Sequence, residues 1–302
     1  MTELAAGTAV QNLLQQVVSG VASGAAYASL ALALVLIYRA MDVINFAQGE
    51  MAMFATFVAY TLITSLHVPY IVAFVLTVLI AFAGGVAVQR VVIRPFEGSP
   101  VLTLVIVTLG LFSIVNGMAG LLWGYVFKTF YSPFPARSFQ LQGVYIGIQD
   151  LGVIVVTLAV LLIVYLFFRF TKLGLAMRAA ALYPDASRLL GVRTTWMLAL
   201  GWGLSAAVGA VSGMMVAPVL SLDPNMMQPV LLFAFAGAVL GGIESPLGAV
   251  IGSTLVGVLL ALVGTYLPGG QNLRIPFALV VIVAVLLVRP AGLFGRREAE
   301  RV

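Results

Sequence analysis

Long apolar runs follow one another along this chain, separated by short polar turns, and they leave it one kind of fold. A helix needs about 20 mostly apolar residues to cross a bilayer. Runs near that length cover residues 14–38, 50–65, 70–89, 100–122, 150–168, 196–219, 227–242, 246–267 and 275–289. None shows the apolar–polar alternation of a membrane barrel strand. Composition agrees: 62% of the residues are hydrophobic and 8% charged, against about 45–50% and about 25% in soluble domains. The sequence therefore predicts an all-α, polytopic membrane helix bundle with about eight or nine transmembrane helices. A single transmembrane domain over 1–302 is expected.

The same composition excludes several functions. A net charge of +5 invites a nucleic-acid reading, but the positive residues are scattered between apolar spans, without a basic face. There is no cysteine, and His67 is the one histidine. No thiolate site, cysteine nucleophile or multi-histidine metal site is expected, and no cofactor on this chain. No Walker A sequence occurs, so ATP is not hydrolysed here by that route. Asp42, Glu50 and Glu244 fall near predicted helix ends and form no acid–base pair; an enzyme is not expected.

Cations set the expected orientation, because loops on the cytoplasmic side carry the excess of Lys and Arg. With nine spans, one side holds Arg39, Arg90, Arg94, Arg169, Lys172, Arg178, Arg188, Arg193, Arg289, Arg296, Arg297 and Arg301. Lys128, Arg137 and Arg274 fall on the other. The C-terminus is then cytoplasmic and the N-terminus outside. No Lys or Arg precedes Arg39, so a cleaved secretory signal is not expected, and residues 2–13 read as a surface-lying start.

Two polar breaks interrupt the apolar pattern. The first runs through Asp42, Asn45, Gln48, Gly49 and Glu50; the second is SLDPNMMQP at 221–229. Irregular backbone at membrane depth occurs only where it is buried in protein or lines an aqueous cavity, which makes Asn45, Gln48, Gly49 and Glu50 candidates for a translocation pathway. An ordinary turn at the membrane surface fits the same residues. The flanking spans of the two breaks run in opposite senses, so a weak inverted repeat is a further expectation. Glycine pairs at 20/24, 209/213, 237/241 and 248/252 have the spacing of close helix contacts.

The stretch TKLGLAMRAAALYPDASRLLGVRTT, residues 171–195, stands apart from the spans. Pro184 suits the first position of a helix and Gly191 the position past its end. Asp185 then lies where a carboxylate suits the helix dipole, and Arg188 lies nearer the end that favours a cation. A helix over 184–190 is too short to stand alone and must lean on the bundle or on another protein. A solvated charged loop that only fixes topology is the alternative.

Five stretches carry a resemblance: SGVASGAAYASLALALVLIYRAMDVINFAQGEM, RPFEGSPVLTLVIVTLG, TKLGLAMRAAALYPDASRLLGV, AVLGGIESPLGAVIG and LVRPAGLFG. In this order and spacing they resemble the LivH-type inner-membrane permease of bacterial ABC importers of branched-chain amino acids. The resemblance implies a subunit of the bacterial inner membrane without an ATP site. Its implied partners are a second, related permease (or a second copy of itself), two cytoplasmic ATPase subunits and an extracytoplasmic solute-binding protein. It also implies that the loop of about 169–195 couples to the ATPase, with Arg178, Tyr183, Pro184, Asp185, Arg188 and Gly191 as candidates.

Three positions depart from the family's habit. Gln48 stands where histidine is usual and cannot take a proton. Leu182-Tyr183 stands where Gln-Asp is frequent, and tyrosine is a poor helix cap. Glu97 replaces a frequent basic residue. Related permeases carry urea, short amides and other amino acids, so the solute stays open among these. A self-sufficient transporter or channel for a small polar solute, and a membrane scaffold, are the other classes; neither explains a long charged loop on the ATP side.

Overall fold

In hydrocarbon a backbone polar group has no water to turn to, so each span must satisfy its own amides as a helix. The computed structural model describes residues 2–141 and 143–295, with side chains from Val10. It has eleven α-helices among the described residues. In chain order they are α1 (Thr2–Met41), α2 (Gln48–Thr64), α3 (Tyr70–Val88), α4 (Val101–Trp123), α5 (Ile148–Phe170) and α6 (Lys172–Leu182). Then follow α7 (Pro184–Leu189), α8 (Thr194–Leu220), α9 (Met227–Gly241), α10 (Pro246–Tyr266) and α11 (Gly270–Val288). The expected all-α polytopic bundle is the architecture found.

Among the described residues, seven helices are long and apolar enough to cross a membrane: α1, α3, α4, α5, α8, α10 and α11. The other two runs read as spans are shorter. α2 has 17 residues and α9 has 15, or about 25 and about 22 Å, against about 30 Å of hydrocarbon. Each begins within one of the two polar breaks. Beyond those breaks, the element order gives the inverted repeat no support.

One local expectation needs correction, and the structure adds two elements that the sequence did not announce. Residues 2–13 do not form a separate surface segment, because α1 runs unbroken for 40 residues; Ala-rich sequence without proline gives the helix no place to stop. Within the loop between α4 and α5, strands β1 (Ser138–Leu141) and β2 (Val144–Gly147) pair antiparallel. Gln15 of α1 clamps this hairpin, donating to the Tyr145 carbonyl at 2.9 Å and accepting from the Tyr145 amide at 2.7 Å. The stretch after Thr171 is also helical: the Thr171 hydroxyl caps α6 by accepting from the Gly174 amide at 2.9 Å. Arg296, Arg297 and Arg301 lie outside the described residues.

α1 and α8 are the most enclosed spans, with α10 next, whereas α3, α4, α5 and α11 present most of their surface outward. The outward faces are aliphatic and aromatic, as at Ile114, Val155 and Val280. Core contact depends on small residues. A β-carbon on Gly24 would stand 2.6 Å from the Thr254 Cα and 2.8 Å from its carbonyl oxygen on α10. Two helix backbones meet there with no room for a side chain, and lipid tails are apolar enough that such close contact, not hydrophobic exclusion, holds spans together.

Gly24→Val is therefore expected to wedge α1 from α10, at a cost of about 1–3 kcal/mol. The midpoint of thermal unfolding in detergent should fall by several degrees. Gly110→Ala, where nothing lies within 4 Å of the added carbon, should leave it unchanged. Equal midpoints for the two variants would contradict this packing.

Candidate functional site

The first break, between α1 and α2, is tied down by amide side chains. Asn45 Oδ1 accepts from the Ala47 amide at 3.0 Å, and Asn45 Nδ2 donates to Gln48 Oε1 at 3.2 Å. Gln48 Nε2 in turn donates to the Ser205 carbonyl of α8 at 3.1 Å. The Ser205 hydroxyl lies 3.0 Å from Gln48 Oε1 and 2.7 Å from the Ala33 carbonyl of α1. Asn45, Gln48 and Ser205 are all fully buried. Three elements thus meet in one hydrogen-bonded knot, and the Gln48 amide is spent within it.

Gly49 and Glu50 meet the second break. A β-carbon on Gly49 would lie 3.3 Å from the Met227 carbonyl and 3.2 Å from Leu231 Cβ, so the first turns of α2 and α9 touch here. Glu50 Oε2 accepts from Asn116 Nδ2 of α4 at 3.1 Å. The same Asn116 amide group lies 2.9 Å from the Pro224 carbonyl and 3.1 Å from Asn225 Oδ1. Gln228 Nε2 donates to Asn225 Oδ1 at 2.9 Å, and the Tyr125 hydroxyl donates to Asn116 Oδ1 at 3.1 Å. Glu50 is 1% exposed, and its Oε1 has no hydrogen-bond partner.

The level of this junction follows from its partners. Ser205 lies near the middle of α8, and Asn116 lies well inside both ends of α4. Both breaks therefore re-enter the bundle to the depth of its spanning helices. Glu50 stands at a helix end, as expected, but that end is buried among spans. Beside the junction is a recess of about 210 Å³, walled by Leu34, Ile44, Leu231, Leu232 and Phe235, with Asn45 and Gln228 at its polar side.

The charged stretch is ordered. Pro184 opens α7, Tyr183 before it makes no side-chain cap, and Gly191 takes φ +82° just beyond the helix. Arg188 donates to the Thr194 hydroxyl at 3.1 Å and faces Asp185 at 3.3 Å, the one ion pair among the described residues. Thr194 opens α8, so α7 is tied to the helix that carries Ser205. Leu182, Tyr183, Leu189 and Leu190 are exposed around α7. Arg178 lies on α6, partly buried, with its Nε unpaired. Burial pushes the Glu97 carboxyl above its ordinary range, opposed by Arg94, by a hydrogen bond from Gln89 and by Arg188. Among the described residues no group of His, Asp and Glu is placed to hold a metal ion.

The structure thus brings Asn45, Gln48, Gly49 and Glu50 together at one junction, and Pro184, Asp185, Arg188 and Gly191 together in one short helix and its end. Sequence reasoning missed Asn116 and Ser205. The signal for both was present: each is a polar residue inside an otherwise apolar span, where such groups face the bundle interior and find partners.

A helix bundle with two breaks meeting at depth defines a multi-pass membrane protein of the permease class. Residues 16–288 match the family described as "Branched-chain amino acid transport system / permease component", and the chain belongs to that family. It is 32% identical over 302 residues to the "High-affinity branched-chain amino acid transport system permease protein LivH" of Salmonella typhimurium, covering 96% of this chain and 97% of that one. Its identity to the Escherichia coli protein of the same name is 31% over 313 residues, with the same coverage. To "High-affinity branched-chain amino acid transport system permease protein BraD" of Pseudomonas aeruginosa it is 30% over 310 residues, covering 97% and 99%.

The knot makes a direct prediction. Gln48→Leu strands Asn45 and Ser205 groups in a dry interior, and an unsatisfied buried polar group costs about 1–3 kcal/mol. A double-mutant cycle with Ser205→Ala, read by denaturant unfolding in detergent, should give a coupling energy above about 0.5 kcal/mol. Strict additivity would show that the two side chains do not act together.

Proposed function

We propose that this chain is one half of the transmembrane core of an ATP-driven importer of branched-chain or related amino acids in the bacterial inner membrane. A related permease, or a second copy of this chain, supplies the other half. Two cytoplasmic ATPase subunits supply the energy, and an extracytoplasmic binding protein delivers the solute. The observation that carries the reading is the junction of the two breaks: uncharged amides and one carboxylate gathered at depth in an apolar bundle. The family and its named relatives supply the solute class.

In this mechanism the solute passes the face that exposes Asn225 and Gln228, with buried Glu50 linked to it through Asn116, while Asn45 and Gln48 hold the first break in shape. The ATPase docks on α7 through the exposed Leu182, Tyr183, Leu189 and Leu190. Arg188 ties α7 to Thr194, and α8 reaches Gln48 through Ser205. Closure of the ATPase pair then moves α7 and α8 together, shifting the first break as part of a rigid-body movement. ATP chemistry stays on the partner chains.

The orientation follows from charge, with α6 and α7 in the cytoplasm and the β1–β2 hairpin outside. Ser138, Asn272 and Leu189 are exposed, and the native chain has no cysteine background. Ser138→Cys and Asn272→Cys should react with an impermeant thiol reagent on intact cells, and Leu189→Cys only after permeabilisation. The reverse pattern would invert the orientation.

Coupling is tested in proteoliposomes holding the whole complex. Leu189→Glu with Leu190→Glu changes two side chains that are 91% and 84% exposed and leaves the spans untouched. The double variant should insert normally yet lose at least tenfold in ATP-driven uptake. Undiminished uptake would remove α7 from the coupling path and return the self-sufficient transporter to consideration.

A further inference from the structure

The chain that leaves α4 folds back on the bundle. Gly124 takes φ +77°, a backbone that glycine adopts without a clash, and Tyr125 then lies along α4. A β-carbon on Gly120 would collide with the Tyr125 ring, and the Tyr125 hydroxyl donates to Asn116 Oδ1 at 3.1 Å. Three residues on, Lys128 and Leu222 of the second break exchange both backbone hydrogen bonds, at 2.9 and 2.8 Å. The Lys128 ammonium stands 5.9 Å from the centre of the Tyr60 ring on α2, and Phe130 is buried in the core. Residues 124–130 are thus a strap fixed to α4, to α2 and to the second break.

The strap holds the same break whose Asn225 and Gln228 are exposed. Asn116, which receives Tyr125, also donates to the Pro224 carbonyl and to Asn225 Oδ1. The attachment at Leu222 lies beside a backbone outlier. Ser221, between α8 and Leu222, takes φ +67° and ψ +151°. That region is essentially confined to glycine; another residue stays there only when its surroundings hold it, and such residues gather at switch regions. Here the holding group is Leu222, buried and paired on both sides of its peptide with Lys128. A strained link kept closed by a two-bond bridge favours the open state once the bridge parts.

We propose that residues 124–130 are an outer gate. In this structure the strap is latched, on the second break by the Lys128–Leu222 bridge and on α4 by Tyr125. In each cycle it lifts from Leu222, so that solute arriving from outside reaches the face of Asn225 and Gln228. Relaxation of Ser221 favours the lifted state, and the bridge re-forms to close it. The proposal rests on the importer reading above and on its orientation, which puts the ends of α4 and α8 outside.

The test uses the full complex in proteoliposomes, supplied with binding protein loaded with leucine. A hydrogen-bonded antiparallel pair has Cα atoms about 5.5 Å apart, within reach of a disulfide, and the native chain has no cysteine. Lys128→Cys with Leu222→Cys should crosslink on mild oxidation, as read by mass spectrometry. Oxidation should lower its ATP-driven uptake about tenfold or more, the reach of a step blocked in every cycle, and dithiothreitol should restore it. Lys128→Cys alone should transport equally well in both conditions. Ser221→Gly relieves the outlier and leaves the bridge in place; it should keep or raise the thermal midpoint yet slow saturated uptake by about threefold or more. Where the reduced double variant is itself inactive, Ser221→Gly decides. A pair that forms no crosslink, a crosslinked complex as fast as its reduced form, or a Ser221→Gly complex as fast as wild type would overturn the gate. A wild-type complex that takes up no amino acid with ATP would instead defeat the importer reading itself.

Discussion

A backbone that leaves the helix inside a membrane must find its hydrogen bonds in protein; here Asn45 Oδ1 takes the Ala47 amide and the Asn45 carbonyl takes the Gln48 backbone N–H, and the whole turn is anchored by the Gln48 side-chain amide. It joins Asn45 of the break to Ser205 of α8, and Ser205 reaches on to the Ala33 carbonyl of α1. This knot fastens the start of α2 to α8 and α1. Its position in turn sets Gly49 against α9 and Glu50 against Asn116. The short lengths of α2 and α9 are a consequence of the same arrangement: each starts part-way through the bundle because the chain before it has already entered.

The bundle around the knot is built for close approach. Gly24 on α1 meets the backbone of Thr254 on α10, and Gly213 on α8 meets that of Ala52 on α2. Such contacts make α1, α2, α8 and α10 a tightly fitted group, with α3, α4, α5 and α11 as its outer wall. A well-packed group has few ways to deform, which suits the proposed passage of movement from α7 along α8. The bond from Arg188 to Thr194 places the short helix at one end of that path, and Ser205 stands further along it.

Much of this was legible in the sequence, for physical reasons that also mark where legibility ends. Hydropathy located every span, since an apolar run long enough to cross a bilayer has few alternatives. Pro184 and Gly191 announced α7, because their backbone preferences are local. Asn45, Gln48 and Glu50 were visible as a polar interruption, but the depth of the break was not: it is set by Ser205 and Asn116, far away in the chain. The unbroken α1 was obscured by the polar residues near its start, and the β1–β2 hairpin is held partly by Gln15, more than a hundred residues upstream. The departure at Gln48 acquires a structural sense, since its amide donates and accepts at once in the knot.

The central claim is that the two breaks meet at depth on a face that water reaches, and accessibility measures it most directly. Asn225 and Gln228 are exposed beside Glu50, whereas Val280, near the middle of α11, is exposed on an apolar surface. In the assembled complex, Asn225→Cys and Gln228→Cys should react with a small, charged, membrane-impermeant thiol reagent during turnover, and Val280→Cys should not. Protection of Asn225→Cys and Gln228→Cys throughout the cycle, to the same degree as Val280→Cys, would mean that the junction is sealed structure and that the solute passes elsewhere.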